Sequence, residues 1–366
     1  MLLTPASRAR LRHALHWAVT LGVALVAAQV CVALHTPIPW MLGPLLVTMA
    51  ATLAGLPTRG SVLMRNGGQW VIGAALGLYF TPQVSQLVLS LWWAVLLSTV
   101  WALALGAGFG LWLERQSPGL QAMSPRALRA TTWFSSAIGG ASEMALLADR
   151  HGGRSDLVAA AHSLRIVMVV VLVPFAMQWF QVHWGLEVDA SLRPGTRMVD
   201  PAGLAWLGAA TLAGALLMQA LRRTNPWFMG PMLASMLMAC MEWPTSPLPL
   251  ALSNLAQCVI GISLGVRFKR AFLHTAPRWM LAVAWGTAGM LVLSAGFGLG
   301  MAWLTQLHPA TLVLGTSPGG ITEMAITAKV LQLGVPVVVA FQVSRLVAVL
   351  MLVGPLFHWA ARRRPE

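Results

Sequence analysis

Apolar runs of about 20 residues recur along the whole chain, and they restrict its possible folds more than any other feature of the sequence. At about 1.5 Å per helical residue, each run is long enough to cross a hydrocarbon layer of about 30 Å. The composition agrees, because 57% of the 366 residues are hydrophobic and only 9% are charged. The sequence therefore predicts an all-α polytopic membrane protein, with the lipid bilayer as its first partner.

We place twelve apolar segments in the chain, six in each half. The longest polar connection, residues 183–201, is too short to fold as a separate catalytic or DNA-binding domain. The first run is longer than the apolar part of a secretory signal peptide, so we interpret it as a retained helix. The segments lie near residues 14–35, 40–56, 67–80, 88–113, 130–148, 157–181, 202–221, 227–241, 250–266, 277–304, 311–330 and 336–360.

The two halves of the chain repeat the same motifs in the same order. Residues 39–44 (Pro-Trp-Met-Leu-Gly-Pro) return as residues 226–231 (Pro-Trp-Phe-Met-Gly-Pro), an offset of 187. Residues 139–145 (Gly-Gly-Ala-Ser-Glu-Met-Ala) return as residues 319–325 (Gly-Gly-Ile-Thr-Glu-Met-Ala), an offset of 180. This ordered similarity indicates a duplication. It predicts a first membrane repeat over 1–184, an external linker over 185–200 and a second repeat over 201–366.

The positions of Lys and Arg favour one of two membrane topologies. If all twelve segments cross, the basic residues show only a weak preference for one side. If the two segments that contain Gly-Gly are re-entrant, ten crossings remain and 19 of the 24 basic residues fall on the cytoplasmic side. We therefore predict two inverted-topology repeats, each of about five transmembrane helices plus one re-entrant segment broken at Gly-Gly. Both termini are then cytoplasmic, and the charge of +14 follows from the orientation rather than from nucleic acid binding.

Few ionisable side chains fall inside the predicted spans. Glu143 and Glu323 follow the two glycine pairs, and Arg165 and Arg345 each come 22 residues later. Charged groups are costly at membrane depth, so these four predict a pathway for substrate or protons. A structural alternative is open, in which each Glu lies at a half-helix N-terminus and each Arg is its buried counter-ion.

Further polar and glycine residues flank this predicted pathway. The glycine pairs permit positive φ and close backbone approach, so they are candidates for an anion cradle, with tight helix packing as the alternative. Two hydroxyl residues next to the glutamates are candidates for ligand contacts, with helix capping as the alternative. Four Asn and Gln residues are candidates for lining a cavity, with hydrogen bonds between helices as the alternative. These candidates are Gly139, Gly140, Gly319, Gly320, Ser142, Thr322, Asn66, Gln69, Asn254 and Gln257.

The sequence offers little for enzyme chemistry. The nine His are scattered, and none of the three Cys shares a metal-ligand spacing with another. No Gly-x-Ser-x-Gly, phosphate-loop or His-Glu-x-x-His motif occurs. We therefore predict no catalytic residue, no metal and no cofactor.

The duplicated motifs, above all Gly-Gly-x-Ser/Thr-Glu-Met at residues 139–144 and 319–324, resemble the AbrB membrane protein family of bacteria. This is the duplicated membrane protein, not the small soluble regulator that shares its name. The resemblance extends from about residue 14 to residue 364 and implies a bacterial cytoplasmic (inner) membrane location. Proteins of this kind are labelled as regulators of gene expression or as ammonia monooxygenases.

Three hypotheses for function follow from the sequence. The first is a proton-coupled secondary transporter or exporter of a small polar or anionic metabolite, with the two glutamates carrying protons. The second is a membrane protein that influences gene expression indirectly, since no segment could dock into DNA. The third is a membrane oxygenase of the ammonia monooxygenase type. A homo-oligomer is compatible with all three.

Overall fold

The computed structural model describes residues 5–116, 123–184, 198–268 and 277–362. Within these ranges the secondary structure is helical and contains no strand, which confirms the predicted all-α class. In chain order the helices are α1 (Pro5–Ala33), α2 (Pro39–Leu53), α3 (Val62–Gly77), α4 (Pro82–Ser90), α5 (Trp92–Arg115), α6 (Pro125–Ser136), α7 (Ala141–Arg150), α8 (Ser155–Trp184), α9 (Pro201–Ala220), α10 (Pro226–Cys240), α11 (Leu250–Gly265), α12 (Pro277–Thr305), α13 (Pro309–Thr316), α14 (Ile321–Val330) and α15 (Val335–Arg362).

Six helices in the described part of the chain are long and apolar enough to cross a membrane. The helices α3 and α4 would together make a seventh, but they are bent by 89° where they meet. Three further apolar helices, α2, α10 and α11, are shorter, at 15 or 16 residues. The six candidate spans are His16–Ala33, Trp92–Arg115, Ser155–His183, Pro201–Ala220, Pro277–Thr305 and Val335–Ala360.

Proline in the first turn marks the start of many of these helices, where its missing N–H removes no hydrogen bond. The equivalent helices α2 and α10 begin in the same way in both halves of the chain. Pro39 and Pro226 each follow a residue in the left-handed conformation, Ile38 at φ 43° and Asn225 at φ 52°. Each helix also carries an internal proline, Pro44 or Pro231. The sequence repeat is therefore also a repeat of local structure.

Two boundaries differ from those predicted from the sequence. Helix α1 begins at Pro5 rather than near residue 14, because helix formation continues through the charged N-terminal turns. The connection between the predicted segments 67–80 and 88–113 is instead occupied by α4. The hydroxyl of Thr81 accepts a hydrogen bond from the N–H of Val84 at 3.4 Å, and Pro82 supplies the first helical residue. Local capping therefore starts a helix before the apolar run does.

The chain forms two compact units, and each takes residues from both halves of the sequence. Unit 1 comprises Met1–Ser85 and Arg193–Arg270, and unit 2 comprises Gln86–Leu192 and Ala271–Glu366. Of the predicted linker at 185–200, residues 185–197 lie outside the described part of the chain.

Unit 1 is held together by close helix pairs in which glycine lets backbones approach. A Cβ on Gly77 of α3 would collide with Ser235 and Met232 of α10. The equivalent Gly265 of α11 has the same relation to Thr48 and Leu45 of α2. Helix α3 of the first half thus packs on α10 of the second, and α11 packs on α2 in exchange. Small residues at such contacts allow the van der Waals packing that stabilises helix pairs in lipid.

Unit 2 contains α5–α8 and α12–α15 around several buried apolar clusters. One cluster joins Phe109 and Leu113 of α5 to Trp279 and Val283 of α12. Another joins α6, α7 and α15, through residues that include Phe134, Met144 and Phe357. The glycine pairs, both glutamates and both arginines of the predicted pathway belong to this unit.

Candidate functional site

The site is built on two interrupted segments, each made of two short helices. In the first, α6 ends at Ser136 and α7 begins at Ala141. In the second, α13 ends at Thr316 and α14 begins at Ile321. The four residues between the helices contain the glycine pair in each case. At about 1.5 Å per residue, none of these four short helices is long enough to cross a hydrocarbon layer of about 30 Å by itself.

Helix α7 folds back along α6. The main-chain N–H of Arg154, just after α7, donates to the hydroxyl of Thr131 in the middle of α6 at 2.9 Å. The ring of His151 packs on Phe134 with centroids 5.4 Å apart. If α7 continued in the direction of α6, Arg154 and Thr131 would be roughly 30 Å apart. The first interrupted segment is therefore a helical hairpin.

The second interrupted segment has the same hydrogen bond. The N–H of Gly334 donates to the hydroxyl of Thr311 at 3.1 Å, and both residues are 180 positions after their counterparts Arg154 and Thr131. The end of this hairpin also contacts the end of α8, where the Gln181 amide donates to the carbonyl of Leu331 at 3.2 Å. We refer to α6–α7 as the first hairpin and to α13–α14 as the second hairpin.

Arg165 and His162 of α8 cap the end of α6. The guanidinium of Arg165 donates to the carbonyl of Ala137 at 2.8 Å and to those of Ser135 and Ser136 at 3.3 Å. His162 approaches the carbonyl of Phe134 with Nε2 at 2.9 Å and accepts from Arg165 with Nδ1 at 2.8 Å. A helix leaves its last carbonyl groups without intrahelical partners, and a cation there also offsets the negative end of the helix dipole.

Arg345 and Gln342 of α15 cap the carbonyl end of α13 in the equivalent way. Arg345 donates to the carbonyls of Ser317 at 2.6 Å and Gly319 at 2.7 Å, and to Oε1 of Gln342 at 2.5 Å. The Gln342 amide donates to the carbonyl of Leu314 at 2.8 Å. Both side chains are buried. One donor of Arg345 is left over, since its buried Nε–H has no hydrogen-bond partner among the described residues.

His162 and Gln342 were missed by the sequence analysis, although a signal for them exists. Each precedes its arginine by three residues, and the two are 180 positions apart, as the arginines are. Residues three apart lie on one helical face, so each pair points at the same carbonyl cluster. An imidazole and an amide look unrelated in a sequence, but each brings a hydrogen-bonding nitrogen to the same place.

Glu143 and Glu323 occupy the third position of α7 and α14, after the N-cap residues Gly140 and Gly320. Each carboxylate lies over its N-cap glycine, in the space that a Cβ there would fill. This resembles a capping box, in which a glutamate at this position reaches back to the start of its helix. Glu323 is buried, whereas Glu143 is half-buried.

The glycine pairs do not use the positive φ that glycine permits. Gly140 has φ −66° and Gly320 has φ −79°, which any residue can adopt. Glycine is required at these two positions because a Cβ would collide with the glutamate carboxylate, not because of the backbone conformation. Gly139 and Gly319 are also close to side chains: a Cβ would lie 3.1 Å from Val349 of α15 in the first case and 2.8 Å from Val169 of α8 in the second. Each interruption thus packs against the long helix from the other half of the chain.

The charges at each interruption are matched to the two helix ends that meet there. The arginine lies at the carbonyl end of the first short helix, and the glutamate lies at the N–H end of the second. Both placements oppose the partial charge of the helix end. Neutralising a glutamate by a proton would leave the positive helix end uncompensated and its N–H groups open to another anion.

The other predicted residues fall in two places. Ser142 and Thr322 precede the glutamates, and Ser142 is exposed while Thr322 is buried. Asn66, Gln69, Asn254 and Gln257 lie on α3 and α11 of unit 1, not in the unit that carries the hairpins. Gln257 is buried and the other three are half-buried. Over the described ranges, no three or more His, Cys, Asp or Glu side chains are grouped so that they could hold a metal ion.

Comparison with known proteins identifies the family. Residues 40–361 match the family described as transition state regulatory protein AbrB, and this match includes both hairpins and the helices that cap them. The chain belongs to the AbrB family. The resemblance inferred from the Gly-Gly-x-Ser/Thr-Glu-Met motifs is thereby confirmed.

Two similar proteins come from Bacillus subtilis and Escherichia coli. The chain is 24% identical over 347 residues to Uncharacterized protein YhjN of Bacillus subtilis (strain 168), covering 88% of this chain and 87% of the relative. It is 25% identical over 351 residues to Putative regulator AbrB of Escherichia coli (strain K12), covering 93% of this chain and 95% of the relative.

Proposed function

We propose that this AbrB protein is a proton-coupled secondary transporter or exporter of a small polar or anionic metabolite. The observation that carries the proposal is the pair of interrupted hairpins, each with a glutamate over the first turn of its second helix. A helix that served only stability would not need to be broken twice at equivalent positions. Paired broken helices are typical of the substrate sites of secondary transporters.

Proton binding and anion binding are coupled in this proposal because the ionised glutamate and the anion compete for the same helix N-terminus. An ionised Glu143 or Glu323 covers the N–H end of its helix, whereas a protonated one leaves that end positive and free to bind an anion. Proton binding and anion binding then favour each other. The unpaired Nε–H of Arg345 adds a donor for a ligand, while the remaining donors of both arginines hold the interruptions open.

The hairpins support the predicted topology, in which the two Gly-Gly segments are re-entrant. The first hairpin returns to α6, and Nε2 of His151, directly after α7, lies 3.3 Å from Nε2 of His358 near the end of α15. These two residues would be on opposite membrane faces if residues 130–148 crossed the membrane. In the same way, the contact of Leu331 with Gln181 supports a second hairpin that returns to the face it entered from.

The exchanged contacts between the halves support an inverted pair of repeats over 1–184 and 201–366. Gly139 packs on Val349 while Gly319 packs on Val169, as a twofold relation requires. The placement of 19 of the 24 basic residues on one side over ten crossings favours an axis in the membrane plane for that relation. We place the protein in the bacterial inner membrane with both termini in the cytoplasm. Its partners in this proposal are lipid, protons and the metabolite, with no nucleic acid, no cofactor and no enzyme activity.

The first experiment is a thermal-shift screen of the protein purified in detergent. Small carboxylates, amino acids, inorganic anions and polyamines would be tested on the parent and on Glu143→Gln and Glu323→Gln. A compound that binds the folded state raises the apparent melting temperature. We expect an anionic or zwitterionic compound to stabilise the parent and to lose that effect in at least one variant. Uptake of that compound into proteoliposomes under an imposed proton gradient then tests transport.

Glu242→Gln provides the matched control, because Glu242 is exposed after α10 and is far in sequence from both hairpins. It should behave as the parent in both assays. If no compound shifts the parent and both hairpin variants are only less stable, the glutamates are structural and the transporter proposal fails.

A second candidate function rests on the name of the Escherichia coli relative, Putative regulator AbrB. On that hypothesis the protein alters gene expression indirectly, through a partner or through the level of a metabolite. Regulation through a partner predicts that the Glu143→Gln and Glu323→Gln variants keep the regulatory effect in cells. A transporter that regulates by moving its substrate predicts that both effects are lost together.

A further inference from the structure

Two histidines from distant parts of the chain meet at the end of the first hairpin. His151 follows the last residue of α7, and His358 lies near the end of α15, 207 positions later. Their Nε2 atoms are 3.3 Å apart. Neither side chain belongs to the interruptions or to the glutamate sites, so this contact has no part in the proposed transport function.

The hydrogen bonding of His151 fixes which nitrogen is available. Its Nδ1 lies 2.7 Å from the carbonyl oxygen of Leu147. A carbonyl can only accept, so Nδ1 carries the proton, and the neutral ring has its lone pair on Nε2. That lone pair faces His358. A backbone carbonyl that binds the far nitrogen in this way is the usual second partner of a metal-binding histidine.

Aromatic neighbours hold the His151 ring in place. Phe134 of α6 lies 5.4 Å from it and Phe357 lies 5.0 Å from it, measured between ring centroids. His358 is exposed and His151 is half-buried, so the two Nε2 atoms can be reached from outside. The geometry is thus both fixed and accessible.

We propose that His151 and His358 form a binding site for a divalent late transition metal such as Cu²⁺, Ni²⁺ or Zn²⁺. Two imidazoles bound tetrahedrally at about 2.0–2.1 Å would have their nitrogens about 3.3–3.4 Å apart. The observed distance of 3.3 Å between the two Nε2 atoms matches that spacing. The metal joins α7 to α15, and water completes its coordination.

The site is an exchangeable one, because two protein ligands bind a metal more weakly than the four of a closed structural site. Acidic residues accompany two of the arginines near His151. Arg154 forms an ion pair with Asp156 at 2.6 Å, and Arg150 is preceded in the sequence by Asp149. Cu²⁺ stands highest in the usual affinity order for first-row metals, but it prefers square-planar sites, whereas the spacing of these two nitrogens fits the tetrahedral geometry of Zn²⁺.

The test uses the full chain purified with an affinity tag that contains no histidine. Isothermal titration calorimetry with Cu²⁺, Ni²⁺ and Zn²⁺ would be run on the parent, His151→Gln and His358→Gln. We expect the parent to bind one equivalent that both variants lose. His183→Gln is the matched control, because His183 is exposed and also places Nδ1 near the carbonyl four residues before it, at 2.9 Å. It should keep the equivalent.

Melting temperatures measured without metal separate loss of the site from loss of folding. If His151→Gln is also destabilised, electron paramagnetic resonance of the Cu²⁺-loaded parent tests whether both histidines bind the metal. Two bound imidazoles give hyperfine coupling to two nitrogens. Binding that is unchanged in both variants, or a parent that binds no metal, would overturn the proposal. The contact between the rings would then be a hydrogen bond from His358 to His151.

Discussion

Arg345 donates to the main-chain carbonyl of Gly319 across 2.7 Å, and in doing so ties the long helix α15 to the interruption in the second hairpin. The same guanidinium reaches Ser317 and Gln342, and the arrangement has a counterpart at Arg165 and His162 in the first hairpin. Broken helices expose carbonyl groups that water would otherwise satisfy. In both halves of the chain, a buried arginine satisfies them instead.

We expect Arg345→Met to lower stability strongly. The variant leaves several buried carbonyl groups unpaired, and a loss of about 3 kcal/mol or more follows from the cost of hydrogen bonds to a charged donor. Arg345→Lys should recover only part of this, because an ammonium group cannot make the forked contacts of a guanidinium. Apparent melting temperatures in detergent would measure the effect.

Arg278→Met is the control for that experiment, since Arg278 is exposed at the start of α12. It should change the melting temperature little. Equal melting temperatures for the two methionine variants would mean that Arg345 does not hold the interruption.

We expect Gly320→Ala to displace the carboxylate of Glu323, because the new methyl group would occupy the same space. Transport in proteoliposomes should then fall about as far as in Glu323→Gln. The control is Gly289→Ala in the interior of α12, where an added Cβ meets no atom within 4 Å. Alanine should be neutral or slightly stabilising there. A Gly320→Ala protein with normal transport would argue against a role for the position of the carboxylate.

The sequence predicts the helical segments well because apolar length and proline positions are local properties. All twelve apolar segments correspond to helices, and the two that contain Gly139-Gly140 and Gly319-Gly320 are interrupted at those glycines. Helix α4 was not predicted, because it begins in a connection between two apolar segments. Its start depends on Thr81 and Pro82 rather than on hydrophobicity, so a search for apolar runs passes over it.

The contacts of the site were harder to predict, because they join residues that are distant in the chain. The sequence suggested Arg165 and Arg345 as counter-ions of the glutamates or as ligand contacts. The structure instead directs most of their donors to carbonyl groups. Which carbonyls lack partners depends on where each helix stops in space, and the sequence alone does not fix that. The same reason explains why His162 and Gln342 were missed.

Labelling with a membrane-impermeant thiol reagent tests the proposed topology. The three native cysteines would be replaced by serine, and single cysteines introduced as Arg150→Cys, Gln332→Cys and Arg364→Cys. If both hairpins are re-entrant, Arg150→Cys reacts from the same side as Arg364→Cys, and Gln332→Cys reacts from the opposite side. Reaction of Arg150→Cys from the side opposite to the C-terminus would contradict the ten-crossing arrangement.

The glycine contacts of unit 1 give a test that does not depend on function. Gly77 and Gly67 both lie in α3, but a Cβ on Gly77 would collide with α10, whereas one on Gly67 meets no atom within 4 Å. We expect Gly77→Ala to destabilise the protein by about 1–3 kcal/mol, because the two helices must separate. Gly67→Ala should stabilise it by about 0.5–1 kcal/mol through its better helix propensity. Melting temperatures that move in the same direction for both variants would mean that α3 and α10 do not pack through Gly77.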